Sequence, residues 1–217
     1  EVGLRGMVSE VCWDQAPYPE VAVGDTDACL ARLERLLEAF PQKPEALTWA
    51  GVSVSGMGGC SDRLLVEGKK LAQRYGVVMD MHQSFGEKDT EAYKAHAGGK
   101  TATEYLGELG ILGPDLQLVH MIRTEPEEVA LLADSGTNVV HCPAASTRVA
   151  MGVTRHGHFP EMLARGVNVA LGSDSGNYSD FFDVGRQAYL VATIHREAKE
   201  EMPTITAEQA LEMATIN

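Results

Sequence analysis

The stretch Val77-Val78-Met79-Asp80-Met81-His82 decides the fold, because it is an apolar run of strand length that ends in a metal-competent side chain. The same arrangement returns three times, in Leu116-Gln117-Leu118-Val119-His120, Val139-Val140-His141 and Val169-Ala170-Leu171-Gly172-Ser173-Asp174. Helical patterns separate these runs, and no hairpin signal joins them. Strands that alternate with helices predict an α/β fold with a parallel sheet and right-handed crossovers.

The whole chain follows this alternation and predicts six strand–helix units. The strands are predicted over Val2 to Val8, Ala50 to Ser55, Val77 to His82, Leu116 to His120, Asn138 to Cys142 and Val167 to Ser173. The helices are predicted over Asp25 to Phe40, Ser61 to Tyr75, Glu87 to Leu112 with a break at Gly98-Gly99, Pro126 to Asp134, Pro160 to Arg165, Phe181 to Lys199 and Thr206 to Thr215.

Composition narrows the class of protein. The chain has 217 residues, of which 44% are hydrophobic, and this is enough for a sizeable core and excludes intrinsic disorder. A net charge of −13 argues against nucleic acid and anionic membranes as partners. The four cysteines lie far apart with no CxxC pair, so we expect a reducing cytoplasm and no disulfide scaffold.

Metal-competent side chains follow four consecutive strands. Carboxyl ends of parallel strands meet at one face of a sheet, so His82, His120, His141 and Asp174 are expected to converge there as a metal cluster. A single histidine at a strand end is more often a hydrogen-bonded core residue, and Asp174 has the competing role of capping the next helix. Four such residues in consecutive units favour the metal site.

The order of these segments resembles the amidohydrolase superfamily, in its branch of cytosine deaminases, guanine deaminases and triazine chlorohydrolases. The resemblance runs from Gly76 to Asn217. The matching segments are Met81-His82, Leu118-Val119-His120, Glu127 to Leu132, Gly136 to Pro143 and Pro160 to Asp174. The resemblance implies a distorted (β/α)₈ TIM barrel that holds one divalent metal, Zn²⁺ first and Fe²⁺ as the alternative.

The resemblance also implies roles for three residues. His82 becomes the strand-five metal ligand, and Asp174 the strand-eight ligand that shuttles the proton. His120, on strand six, holds the metal-bound water or the substrate, and in binuclear relatives it ligates a second metal. A bound Zn²⁺ lowers the pKa of water to ~7, and a carboxylate beside it can carry the proton to the leaving group.

Two departures from the family pattern concern the rest of the site. The family takes a His-x-His pair from its first strand, whereas the only such pair here, His156-Gly157-His158, follows no strand and is assigned to the surface or a substrate loop. Deaminases of this branch place a glutamate where Phe85 stands. Glu87 is the nearest substitute, and Phe85 offers a stacking wall for a flat substrate.

The remaining candidate residues receive weaker assignments. His141, in the family's His-Cys-Pro segment, is given a substrate-side or structural role, so Phe85, Glu87 and His141 form the predicted substrate-binding set. His96 and His195 lie in helical stretches and are expected to be solvated or packed. Gly56-Met57-Gly58-Gly59 is interpreted as a tight turn that lines the pocket at a strand end.

The leading hypothesis is therefore a hydrolase that cleaves a C–N or C–Cl bond of a small N-heterocycle with a metal-activated water. One alternative is a metal-free α/β barrel enzyme with His120 and Asp174 as acid and base. The other is a catalytically incomplete fragment or a non-enzymatic binding protein of the same fold. The expected partners are a small-molecule substrate and, for the full-length protein, a second copy in a homodimer.

Length bears on the domain organisation. Four strand-to-strand steps separate Ser55 from Asp174, about 30 residues each, so eight units would take ~240 residues. Residues 1–217 are therefore expected to form a single, incomplete barrel domain that contains strands three to eight. The isolated fragment is expected to be inactive.

Overall fold

The computed structural model describes residue 3 and residues 5–15 and 24–215. Its main sheet has six strands in the order β2-β4-β5-β6-β7-β8, and β1 pairs with β3 in a separate two-stranded sheet. Every pair is parallel, which confirms the predicted α/β class. The strands are β1 (Gly6–Val8), β2 (Val11–Cys12), β3 (Thr48–Ala50), β4 (Val52–Val54), β5 (Met79–Gln83), β6 (Leu116–His120), β7 (Asn138–His141) and β8 (Val169–Leu171).

The structure corrects the bounds of the first two predicted strands. The first, Val2 to Val8, contains β1 and misses β2, and the second, Ala50 to Ser55, contains β4 and overlaps β3 only at Ala50. The segment from residue 6 to 12 forms β1 and β2, and the segment from residue 48 to 54 forms β3 and β4, while Val2 lies outside the described residues. Gly51 stands at the second division, where a Cβ would overlap the side chain of Met7. Its amide donates to the carbonyl of Val8 (3.0 Å), so the two segments stay in contact across the break.

Eleven helices are described in this part of the chain. They are α1 (Thr26–Ala39), α2 (Asp62–Tyr75), α3 (Glu87–His96), α4 (Ala102–Glu108), α5 (Pro126–Ser135), α6 (Pro143–Arg148), α7 (Val153–His156), α8 (Phe159–Ala164), α9 (Gly176–Ser179), α10 (Val184–Lys199) and α11 (Ala207–Thr215). The break predicted at Gly98-Gly99 separates α3 from α4.

Two features of these helices differ from the predicted pattern. The long helix expected from Phe181 begins at Val184, because the carboxylate of Asp183 caps it by accepting from the amide of Arg186 (3.3 Å). The helices α6, α7 and α9 are too short to leave a periodic signal in the sequence, and none was predicted.

Side chains of the main sheet alternate between a helix-covered face and an opposite face. Met79 and Met81 of β5 are fully buried, and a Cβ at Gly68 of α2 would lie 3.7 Å from the Met79 side chain and would also contact β4. Asp80 and His82 point the other way and are half-buried. The apolar core therefore lies between the sheet and its helices, and the opposite face carries the polar side chains.

Candidate active site

One cavity of about 430 Å³ lies at the carboxyl ends of the strands. It gathers residues from all six strands of the main sheet or from the segments that follow them. Its lining consists of Val11, Trp13, Ser55, His82, Phe85, His120, Met151, Asp174 and Tyr178. Three of the four side chains predicted to converge, His82, His120 and Asp174, are thus brought together.

Backbone conformation at two strand ends places these side chains. Strict alternation would set His120 on the helix side with Leu116 and Leu118, but its φ of 82° turns the chain at this point. Asp174 follows β8 with a φ of 63°. Left-handed conformations of such residues cost on the order of 1–3 kcal/mol each and concentrate at functional sites. The amide of Met121 donates to the Gln83 carbonyl (3.0 Å) and fixes the turn after His120.

The donor atoms at this cavity fit a divalent metal. His120 Nε2 lies 3.8 Å from Asp174 Oδ2, and the His82 and His120 rings are 5.4 Å apart between centroids. His120, Cys142 and Asp174 each offer a ligand atom, and these atoms lie within 4.8 Å of one another. His120 Nδ1 is buried and has no hydrogen-bond partner among the described residues. Imidazole and carboxylate donors are the set that Zn²⁺ takes in hydrolases.

Cys142 was missing from the predicted site. Its Sγ occupies the space beside Gly172, where a Cβ would come within 3.0 Å of it. Burial raises the pKa of its thiol to about 12, so the group is protonated at neutral pH in the absence of a metal. Its position directly after His141 is the one sequence signal that pointed to it.

Burial also sets the charge state of the neighbouring groups. Burial first, and the nearby His82 second, lower the pKa of His120 to about 4 against the opposing effect of the Asp174 carboxylate. His120 is therefore a neutral imidazole at pH 7. On the same strand as His82, burial raises the pKa of Asp80, while the Ser53 hydroxyl donates to its carboxylate (3.0 Å) and opposes the rise.

His141 lies outside the cavity that His82 and His120 line. It is fully buried on the helix side of β7, where its Nε2 is 3.2 Å from Nε2 of His195 and the Phe159 ring stacks on it at 3.7 Å. Burial holds the pKa of His141 well below its ordinary value and lowers that of His195 to about 4. His195 is thus packed, and His96 lies on the surface beside Asp62 (3.2 Å).

Phe85, which stands at the position of the family's glutamate, and Glu87, its nearest substitute, lie in different cavities. Phe85 lines the cavity, with its ring centroid 5.6 Å from that of His120. Glu87 begins α3 and lines a different cavity with Arg123 and Glu125. The His-x-His pair lies after β7, with His156 closing α7 and His158 preceding α8.

These features define an α/β barrel fold with a candidate metal centre at the carboxyl ends of its strands. The chain belongs to the amidohydrolase family, which it matches over residues 1–217.

Three known proteins illustrate the similarity. A 5-methylthioadenosine/S-adenosylhomocysteine deaminase of Syntrophobacter fumaroxidans is 30% identical over 98% of this chain and 47% of its own length. A 5'-deoxyadenosine deaminase of Methanopyrus kandleri is 32% identical over 100% of this chain and 48% of its own. The solved atrazine chlorohydrolase of Arthrobacter aurescens, complexed with zinc, is 22% identical with a TM-score of 0.88, over 99% of this chain and 48% of that one. The chain spans about half the length of the curated relatives it matches.

Proposed function

We propose that this chain carries the catalytic centre of a metal-dependent hydrolase that removes the amino group of a 5'-substituted adenosine. The observation that carries the proposal is the meeting of His82, His120 and Asp174 in one cavity, with His120 Nε2 3.8 Å from Asp174 Oδ2. The two deaminases to which the chain is 30% and 32% identical support the choice of substrate.

His82 and Asp174 are the side chains that would hold the cation, with Zn²⁺ proposed and Fe²⁺ as the alternative, and His120 would become a ligand in a site that holds a second metal. A bound divalent cation supplies a Lewis acid that makes water nucleophilic at neutral pH. Asp174 then takes the proton from the attacking water and delivers it to the departing amine, so that ammonia leaves and a ring carbonyl remains. The neutral imidazole of His120, beside this carboxylate, orients the water or the ring by a hydrogen bond.

Phe85 provides the apolar wall on which the flat ring stacks, next to His120. His141 supports the site from behind β7 and makes no contact with substrate in this scheme. Glu87 remains a predicted substrate-binding residue that would have to reach the ring from the neighbouring cavity.

A second candidate reaction is hydrolysis of a ring C–Cl bond. Phe85 stands at the cavity where deaminases of this branch place a glutamate, and Glu87 lies in another cavity. A chloride leaving group needs no proton, so this arrangement suits a chlorinated N-heterocycle as well as an amine.

The test uses full-length protein that contains this sequence. Metal content is measured by mass spectrometry, and ammonia and chloride release are measured on adenosines, nucleobases and s-triazines. We expect a stoichiometric divalent metal and ammonia release, with turnover reduced by several orders of magnitude in His82→Ala and Asp174→Asn. His96→Ala, at the surface of α3, is the matched control. Full activity in a metal-free preparation would show the metal-free acid–base alternative, and a metal-loaded but inert protein would show the binding-protein alternative.

The proposed setting is the cytoplasm, and the proposed assembly of the full-length protein is a homodimer. The four cysteines carry buried free thiols, which suits a reducing compartment. In the described part of the chain, no helix is both long enough and apolar enough to cross a bilayer.

A further inference from the structure

A second cavity, of about 420 Å³, borders the one that holds His82 and Asp174. Met151 lines the first cavity, while Ala150 and Gly152 on either side of it line the second. Arg123 enters from the loop after β6, and α6 and α7, which follow β7, complete the walls. Both segments follow carboxyl ends of strands, so the two cavities open on the same face of the sheet.

The second cavity is basic. Arg123, Arg155 and His156 line it, and of the described residues that form its walls none is acidic. We name it the Arg123–Arg155 cavity. Gly152 stands between two of these side chains, with a φ of 84°, and a Cβ there would lie 3.0 Å from His156 Cδ2 and 3.5 Å from Arg123 Nη2. Glycine at this position therefore lets the imidazole and the guanidinium approach each other.

The two arginines of this cavity have no acidic partner in the part of the chain that the structure describes. Within the described ranges, neither Arg123 nor Arg155 has a carboxylate within 4.0 Å, and the buried Nε of Arg123 has no hydrogen-bond acceptor. Arg148, on neighbouring α6, is paired with Asp180. The chain has 31 acidic and only 18 basic residues, so acidic partners for an arginine are abundant. Two arginines that face a cavity without such a partner are therefore unexpected from the composition. A buried donor without an acceptor destabilises the folded chain, and an anion bound there would remove that cost.

Acidic groups lie on the other side of Arg123, in the cavity that Glu87, Glu91 and Glu125 line. The carboxylate of Glu125 is engaged by Lys94 at 3.0 Å. Lys94, Arg123 and His156 also line that cavity, so its charges are mixed, whereas the Arg123–Arg155 cavity is lined by basic groups without carboxylates. An anion is therefore favoured on the side of Arg155.

We propose that the Arg123–Arg155 cavity binds an oxyanion, a carboxylate or a phosphate, on the tail of a substrate whose ring lies in the first cavity. The inference rests on the proposed function, which it narrows to adenosines whose 5' substituent carries an oxyanion. A guanidinium presents paired N–H donors that match either oxyanion in bidentate geometry, and two of them around one cavity fix both its charge and its orientation.

The first measurement compares three adenosines on the metal-loaded full-length protein. The tail is neutral in 5'-deoxyadenosine, carries a carboxylate in S-adenosylhomocysteine and a phosphate in adenosine 5'-monophosphate. In the Arg123→Gln/Arg155→Gln protein we expect the ratio of kcat/KM for the preferred anionic substrate to that for 5'-deoxyadenosine to fall by about tenfold or more, mainly through KM. The substrate that shows the larger fall identifies the carboxylate or the phosphate as the ligand.

Arg148→Gln is the matched control, because it removes an arginine from the adjacent helix that already has a carboxylate partner. It should leave the ratio unchanged. An equal loss on the neutral and the anionic substrates, or an equal change in the control, would overturn the inference.

A binding measurement separates this inference from the proposed function. Calorimetry with inorganic phosphate and with acetate on unmutated protein, compared with the double variant, reports the basic cavity without any turnover. Oxyanion binding that the double variant loses, in a protein with no hydrolase activity, would support the cavity and refute the proposed function. Turnover with no dependence on the charge of the tail would retain the function and refute the cavity.

Discussion

At the scale of single residues, the site depends on one glycine as much as on its histidines. Gly56, in the turn after β4, has a φ of 102°, and a Cβ there would overlap the carbonyl oxygen of His82. The next residue, Met57, donates its amide to the side chain of Gln83 at 3.4 Å. The turn is therefore in direct contact with the end of β5, from which the His82 side chain enters the cavity.

Gly56→Ala tests this close approach. We expect the free energy of unfolding to fall by about 2–4 kcal/mol, because backbone strain and a backbone clash add, and we expect weaker metal binding as His82 shifts. Gly110→Ala is the matched control, since Gly110 also has a positive φ (71°) but nothing within 4 Å of its Cβ position. It should lose only about 1–2 kcal/mol, the cost of an L side chain in the left-handed region. Equal losses in urea unfolding of the two variants would show that strain alone explains the effect.

Sequence reasoning found the residues that strand ends deliver, His120 among them, but it did not predict the backbone turns that orient their side chains. His82 and Asp174 were predictable because each terminates an apolar run. Side chains alternate along β7, so His141 lies on the same side as buried Val139. This alternation indicates a position that faces the helices. No pattern, in contrast, foretells the left-handed turn that brings His120 into the cavity, or the approach of Arg123 to His156 across Gly152.

At the scale of elements, α10 supports the end of β7 from outside the sheet. Gln187 accepts from the amide of Ala144 at 3.0 Å, and His195, two turns further on, meets His141 at 3.2 Å. Both α10 side chains are at most 1% exposed. The segment that carries Cys142 is thus held by buried polar contacts, which are strong only while each donor faces an acceptor.

The His141–His195 contact predicts a loss of stability in acid. Burial lowers the pKa of His195 from 6.5 to about 4, so between these pH values the unfolded chain binds a proton that the folded chain does not. The free energy of unfolding should therefore decrease as pH falls from about 6.5 to 4, by about 3 kcal/mol for this group, and the decrease should level off below that range.

Urea unfolding at a series of pH values measures this slope in the parent protein and in His195→Gln. Glutamine keeps a polar group near Nε2 of His141 but does not titrate, so the slope between these pH values should be shallower in the variant. An unchanged dependence of the unfolding free energy on pH would assign the acid sensitivity to carboxylates or to other histidines.

At the scale of the whole molecule, the order of the main sheet leaves its ends open. Among the described strands, β2 and β8 each pair with a single neighbour, β4 and β7 respectively. Val11, on the end strand β2, is 40% exposed. A closed barrel of this class has about eight strands, and open edges of parallel sheets invite pairing with other chains.

We propose that residues 1–217 form one incomplete barrel domain, which two further parallel strands close, supplied by a longer chain or by another copy. The 217-residue chain by itself should then associate as its concentration rises in sedimentation velocity, because its end strands pair between copies. It should also bind Zn²⁺ weakly, since it offers few protein donors at the cavity. A chain that includes additional strands should be monomeric or dimeric at all concentrations, retain metal through dialysis and unfold at higher urea. A 217-residue monomer that stays monomeric and retains stoichiometric metal would contradict this proposal, because closure would then add nothing to either the sheet or the site.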